Sequence, residues 1–150
     1  MYRLSLLLLF VFLAGCTQTA EQKGLVVGVV DGDTIKVLTT NETMTIRLLG
    51  MDTPEIHGRI DCYGPEAANY TNNNLLGKEI TLYSDHKQGN KDRYGRYLRY
   101  VYLNNVDFNA QLVREGYARA YTKIDSDRLP EYLALQSNAI QNHRGLWAAC

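Results

Sequence analysis

The sequence predicts an α+β domain of about five strands and three helices, with a small barrel of OB type among the architectures this element count admits. Three observations predict it. Runs of β-branched or alternating apolar residues recur through the middle of the chain. Segments opened by proline and closed by glycine mark the helices. Downstream of an N-terminal apolar run ~130 residues remain, enough for one hydrophobic core and too few for two.

Residues 25–30 (LVVGVV) are β-branched and apolar, residues 34–38 (TIKVL) alternate, and residues 43–50 (TMTIRLLG) alternate again after the turn residues TTNE. This pattern predicts a three-stranded meander. The segment GPEAANYTNNNLLG (64–77) reads as a helix opened near Pro65 and stopped at Gly77, weakened by its run of asparagines. Two further strands, KEITLYS (78–84) and RYLRYVYL (96–103), flank the basic loop DHKQGNKDRYG. After the turn NNVD come a short helix, FNAQLVREG, closed by Gly116, and a C-terminal helix beyond Pro130 with Leu129, Leu133 and Ile140 on one face.

The apolar run at 4–14 is too short for the ~20 residues a stable transmembrane helix needs, and reads as an export signal spanning residues 1–15. Its last residues, LAGC, are similar to a bacterial lipoprotein signal, in which the cysteine, here Cys16, becomes the lipidated first residue. Ordinary secretion with a free Cys16 is the alternative. Both readings export the chain, anchored by lipid and facing outward or released. Residues 16–23 (CTQTAEQK) then form a polar tether, and residues 24–150 the domain. With Cys16 assigned to lipid, Cys62 and Cys150 form an even pair, and in an oxidising compartment they are expected to be bridged. Lys and Arg together number 16, as do Asp and Glu, so no global basic field advertises a polyanion, and any such partner must be met by a local patch.

The polar residues inside the strands carry the chemistry. Asp31 and Asp33, in VVDGDTIKV, share one face under period-2 alternation where the flanking pattern calls for valine. Two carboxylates so placed repel unless a cation lies beside them. By itself DGD also reads as a tight turn. The next strand, RLLGMDTPE, buries Arg47 among apolar residues and ends in Asp52, Thr53, Pro54 and Glu55, and KDRYGRYLRY opens a strand with Arg96 beside Tyr94 and Tyr97.

With these motifs the sequence resembles the staphylococcal nuclease (thermonuclease) family. VDGDT, RLLGMDTPE, YGPEA, DRYGR and LVREG occur in that family's order and at nearly its spacing, over most of residues 24–147. The resemblance implies a five-stranded OB-type barrel with three helices and a calcium-dependent endonuclease acting on DNA and/or RNA, expected as a monomer. It implies Asp33, Asp52 and the Thr53 carbonyl as metal ligands, with Asp31 supporting them from outside. Glu55 takes the position of the family's proposed general base, and Arg47 and Arg96 those of its charge-stabilising arginines. Arg93, Tyr94 and Tyr121 match substrate contacts, Arg93 standing where the family has lysine.

The residue types agree with that chemistry on their own terms. Phosphodiester hydrolysis accumulates negative charge on the phosphoryl oxygens, which planar, permanently charged guanidinium groups pair with two at a time. Oxygen donors without thiolate or imidazole suit a hard cation, calcium or magnesium ahead of zinc, and it is the resemblance that puts calcium ahead of magnesium. Between Lys87 and Arg99 five basic residues face one acid, with Tyr94 among them, the combination that holds a single strand. His57, His86 and His143 read as solvated histidines. The alternative function is a non-catalytic OB-type module that only holds nucleic acid, and it is disfavoured because Asp33, Arg47, Asp52, Glu55 and Arg96 are all present. A carboxylate-pair glycosidase has no motif in its favour.

Overall fold

The structure is a computed structural model, and it describes residues 21–150. The expected signal, Cys16 and the first part of the tether lie outside the described residues. Five strands form the barrel: β1 (Glu21–Val29), β2 (Thr34–Leu38), β3 (Thr43–Leu48), β5 (Glu79–Tyr83) and β6 (Tyr97–Leu103). Shorter strands are β4 (Met51–Asp52), β7 (Val106–Asp107) and β8 (Arg119–Ala120), and the helices are α1 (Gly64–Leu75), α2 (Phe108–Arg114), α3 (Leu129–Gln141) and α4 (Leu146–Ala149). The barrel strands follow the order β3-β2-β1-β5-β6, and a parallel pairing of β3 with β6 closes the ring. The α+β, OB-type barrel is therefore present.

Alternation drives the closure. Val26, Ile35, Val37, Met44, Ile46, Leu48, Leu82 and Val101 all point inward and are at most 2% exposed. Each such side chain contributes roughly 1.5–3 kcal/mol of burial.

Three expectations need correction. Glu21, Gln22 and Lys23 are not tether but the start of β1, paired with Tyr83, Leu82 and Thr81, because β5 offers an edge long enough to extend the ladder past the apolar run. On α3, Leu133 and Ile140 are exposed, and the buried residues are Tyr132 and Ala139. The face is rotated because the Tyr132 ring fills the gap beneath α2 and its hydroxyl finds an acceptor there. The C-terminal helix is also not continuous. It stops at Gln141, and the chain turns at Gly145, with φ of +53°, into α4.

The acceptor under α3 is Asp107. This residue is 8% exposed and caps α2 by accepting from the Ala110 N–H at 2.9 Å. It also accepts from the Tyr132 hydroxyl at 2.9 Å and pairs with Arg128 Nε at 3.1 Å. Asp107→Ala removes the cap and strands a buried hydroxyl and a half-buried guanidinium together. It is expected to lower the unfolding free energy by about 2–4 kcal/mol, and Asp107→Asn by less than half as much, in urea titrations followed by circular dichroism.

Candidate active site

The β1–β2 turn and the β3–β4 corner bring the acids together. Asp33 is buried; its Oδ2 accepts from the Thr53 N–H at 3.0 Å and the Thr53 hydroxyl at 3.1 Å, and its Oδ1 from the Thr34 hydroxyl at 3.0 Å. Asp31 turns back to accept the Asp33 N–H at 3.0 Å. The glycine between them is required by packing, since a Cβ on Gly32 would lie 2.7 Å from the Thr53 hydroxyl.

Arg47 projects from β3 between the two carboxylates that flank it. Its Nη1 lies 3.0 Å from Asp33 Oδ2 and its Nη2 2.6 Å from Asp52 Oδ1, while Nη1 also donates to the Leu48 and Met51 carbonyls at 3.0 Å each. Arg96, just before β6, donates from Nε to Asp92 Oδ2 at 2.7 Å and from Nη1 to the Thr34 hydroxyl at 3.2 Å. Thr34 thus links Arg96 to Asp33, and both arginines are aimed by acceptors on separate strands and loops. Tyr94 is 67% exposed, with the guanidinium of Arg93 4.8 Å from its ring centre and that of Arg96 at 5.5 Å. An exposed aromatic ring with two cations against it is a platform for a base.

Asp33, Arg47, Asp52, Glu55, Arg93, Tyr94, Arg96 and Tyr121 all line one cleft of about 680 Å3. Thr53 and Asp31 stand behind its wall through their bonds to Asp33. None of the three histidines lines it. Lys91, Asp92 and Lys123 do, and sequence reasoning did not single them out. Lys123 comes in from the segment after β8, whose Arg119 pairs with Asp52 in the β4–β8 ladder, and no local pattern could announce that. For Asp92 a signal existed, as the only acid between Lys87 and Arg99.

The electrostatics show how crowded these charges are. Burial pushes the Asp31 carboxyl up to about 6, and the neighbouring Asp33 charge adds to the rise. Asp52 is raised by burial, against the opposing pull of the Arg47 guanidinium; the Asp33 charge raises it further and Lys123 lowers it. Burial would also raise Asp92, but hydrogen bonds from Arg96 and Tyr94 outweigh it and hold Asp92 low.

Asp33 repels both Asp31 and Asp52, and the three offer only oxygen, which is the donor set of a hard cation. Among the described residues no group of three or more His, Cys, Asp or Glu side chains is arranged to hold a metal. A cation here would rest on Asp33 and Asp52 with carbonyl oxygen and water, as hard cations do. The donor types fit a hard divalent cation on those terms.

The family model described as staphylococcal nuclease homologue matches residues 45–149. Arg47, Asp52, Thr53, Glu55, Arg93, Tyr94, Arg96 and Tyr121 fall within that match, and Asp31 and Asp33 precede it. The thermonuclease of Staphylococcus hyicus is 40% identical over 110 residues, covering 71% of this chain and 64% of that protein. The thermonuclease of Staphylococcus intermedius is 38% identical over 112 residues, covering 73% and 66%. This chain thus spans just under two thirds of each thermonuclease. An uncharacterized endonuclease of Escherichia coli O157:H7 is 35% identical over 143 residues, covering 95% of this chain and 87% of that protein. A family model matching most of the chain and relatives at this identity agree with the OB-type barrel, and the chain belongs to the staphylococcal nuclease homologue family.

Proposed function

We propose that this member of the nuclease family is a calcium-dependent phosphodiesterase that cuts DNA or RNA internally. The observation that carries the reading is the convergence of Arg47, Arg96 and Glu55 on the cleft that also holds Asp33 and Asp52. Water attacks phosphorus, a new P–O bond forms as the ester P–O bond breaks, and Glu55 takes the proton of the attacking water. The two guanidinium groups, already oriented by Asp33, Asp52, Asp92 and Thr34, donate to the phosphoryl oxygens as their charge grows. Arg93 and Tyr94 hold the strand at one end of the cleft, one by phosphate contact and one by stacking, and Tyr121 lines its wall. Calcium, when bound by Asp33, Asp52 and the Thr53 carbonyl, supplies Lewis-acid stabilisation of that charge. Export and anchoring through Cys16 complete the reading, supported by the LAGC sequence that ends the apolar run.

Three outcomes test these statements. Arg47→Ala and Arg96→Ala are each expected to lower kcat by about 100-fold or more with little change in KM, since their donors act chiefly on the transition state. Near-normal turnover in either variant removes that residue from the mechanism. Chelation should abolish cleavage of a labelled single strand; calcium should restore it and zinc should not. Cys16→Ser should shift the protein from the membrane fraction to the soluble one, and a variant that stays fully membrane-bound would show that lipid is not the anchor.

A further inference from the structure

We propose that the disulfide between Cys62 and Cys150 is a positioning device for Glu55, so that the active site is complete only in the oxidised chain. The inference rests on the reading of Glu55 as the base. Glu55 follows the buried residues Thr53 and Pro54 directly, but it is itself exposed, as are His57, Gly58, Arg59 and Ile60 after it. Packing alone does not hold such a loop.

What holds it is a closure at its base. The Asp61 N–H donates to the Glu55 carbonyl at 2.9 Å, and Asp61 Oδ2 accepts from the Glu55 N–H at 3.4 Å. Gly64 is pressed against the same carbonyl, where a Cβ would lie 2.6 Å from the oxygen. Both ends of Glu55's peptide frame therefore lean on residues 61–64, and the middle of that stretch is Cys62. The bridge, with Cα atoms 6.0 Å apart, ties it to residue 150 across 88 positions of sequence.

The far end of the bridge is firmly mounted. Cys150 directly follows α4 as its C-cap, and Leu146 of that helix is 2% exposed and donates its N–H to the Gly116 carbonyl at 2.9 Å. Gly116 and Gly145 pack backbone to backbone, leaving no room for a Cβ on either. Tyr63, next to Cys62, stacks on Tyr117 with ring centres 5.5 Å apart, and Tyr117 on Tyr70 at 4.1 Å. Force applied to the loop is thus carried through one covalent bond and one aromatic stack to the α2–α4 corner. The remaining tie is His57, whose Nε2 lies 3.2 Å from the Val30 carbonyl, beside the acids. Without the bridge the base of the loop keeps its own hydrogen bonds, the Tyr63 stack and its junction with α1, where Gly64 is buried and the Ala67 N–H donates to the Tyr63 carbonyl at 3.1 Å, and loses the one covalent tie.

The test is steady-state cleavage by the purified chain before and after reduction with a water-soluble phosphine. One phosphine and one water become the phosphine oxide, delivering two electrons and two protons to give the Cys62 and Cys150 thiols. At a temperature where circular dichroism shows the reduced chain folded, kcat is expected to fall about 10- to 100-fold, with KM within about two-fold, as misplacement of a catalytic group costs rate more than binding. In Glu55→Gln, already impaired, reduction should change nothing further. A Glu55→Gln variant with normal turnover would remove the base assignment itself, whatever the bridge does. An impaired Glu55→Gln variant alongside a reduced, folded wild type of undiminished kcat would overturn the positioning role. If the reduced chain unfolds, the double variant Cys62→Val, Cys150→Ala decides at a lower temperature where circular dichroism shows it folded: loss of kcat at constant KM supports the proposal, and full kcat overturns it.

Discussion

The parallel pairing of β3 with β6 is the constraint on which the site depends. It sets Ile46 beside Tyr97, Arg47 beside Leu98 and Leu48 beside Arg99, and so closes the barrel. On the inner side Ile46 and Leu48 are sealed into the core. On the outer side Arg47 is left between β2, where Thr34 is its partner in register, and β6, one residue after Arg96. Two arginines far apart in sequence thereby reach a common wall. A barrel left open between β3 and β6 would keep every local hydrogen bond of the β1–β2–β3 meander and still lose the cleft. The apolar burial of the interior is thus the source of the free energy that holds a guanidinium against four acceptors.

Much of this was legible in the sequence, because period-2 alternation is a strong signal in β2, β3 and β5, while β1 and β6 announce themselves as β-branched or aromatic runs. The short strands β4, β7 and β8 were not legible, since two residues have no period, and their pairing is decided by distant partners such as Ala120 for Met51. The inward face of α3 was misread for a different reason. Leucine and isoleucine suggested the buried stripe, whereas a tyrosine with a buried acceptor for its hydroxyl made the better core residue. That acceptor, Asp107, sits in a turn that sequence reading treated only as a turn.

The site residues were readable as a set through five ordered motifs, but their mutual arrangement was not. Nothing in the string RLLGMDTPE shows that Arg47 will lie between Asp33 and Asp52, or that the Thr53 hydroxyl and N–H will both serve Asp33. These are contacts across the barrel, fixed by register. Lys123 escaped for the same reason, reaching the cleft only because β8 pairs with β4.

The balance of charge in the cleft bears on how it would receive the polyanion proposed as its substrate. Arg47, Lys91, Arg93, Arg96 and Lys123 face Asp33, Asp52, Glu55 and Asp92, five cations against four acids. The whole chain is neutral as well. A field so nearly cancelled decays within the Debye length of roughly 8 Å at physiological salt, so long-range attraction does little to collect substrate. What the arrangement does supply is orientation. Each arginine is held by acceptors at 2.6–3.2 Å before any phosphate arrives. Fixing a guanidinium by its own acid partners costs some of its charge toward substrate, but it removes the rotamer freedom that binding would otherwise have to quench. Donors already in place when charge develops require no reorganisation during the reaction, and that favours the transition state over the bound ground state. A neutral protein with a preorganised cleft is therefore built for turnover more than for tight capture.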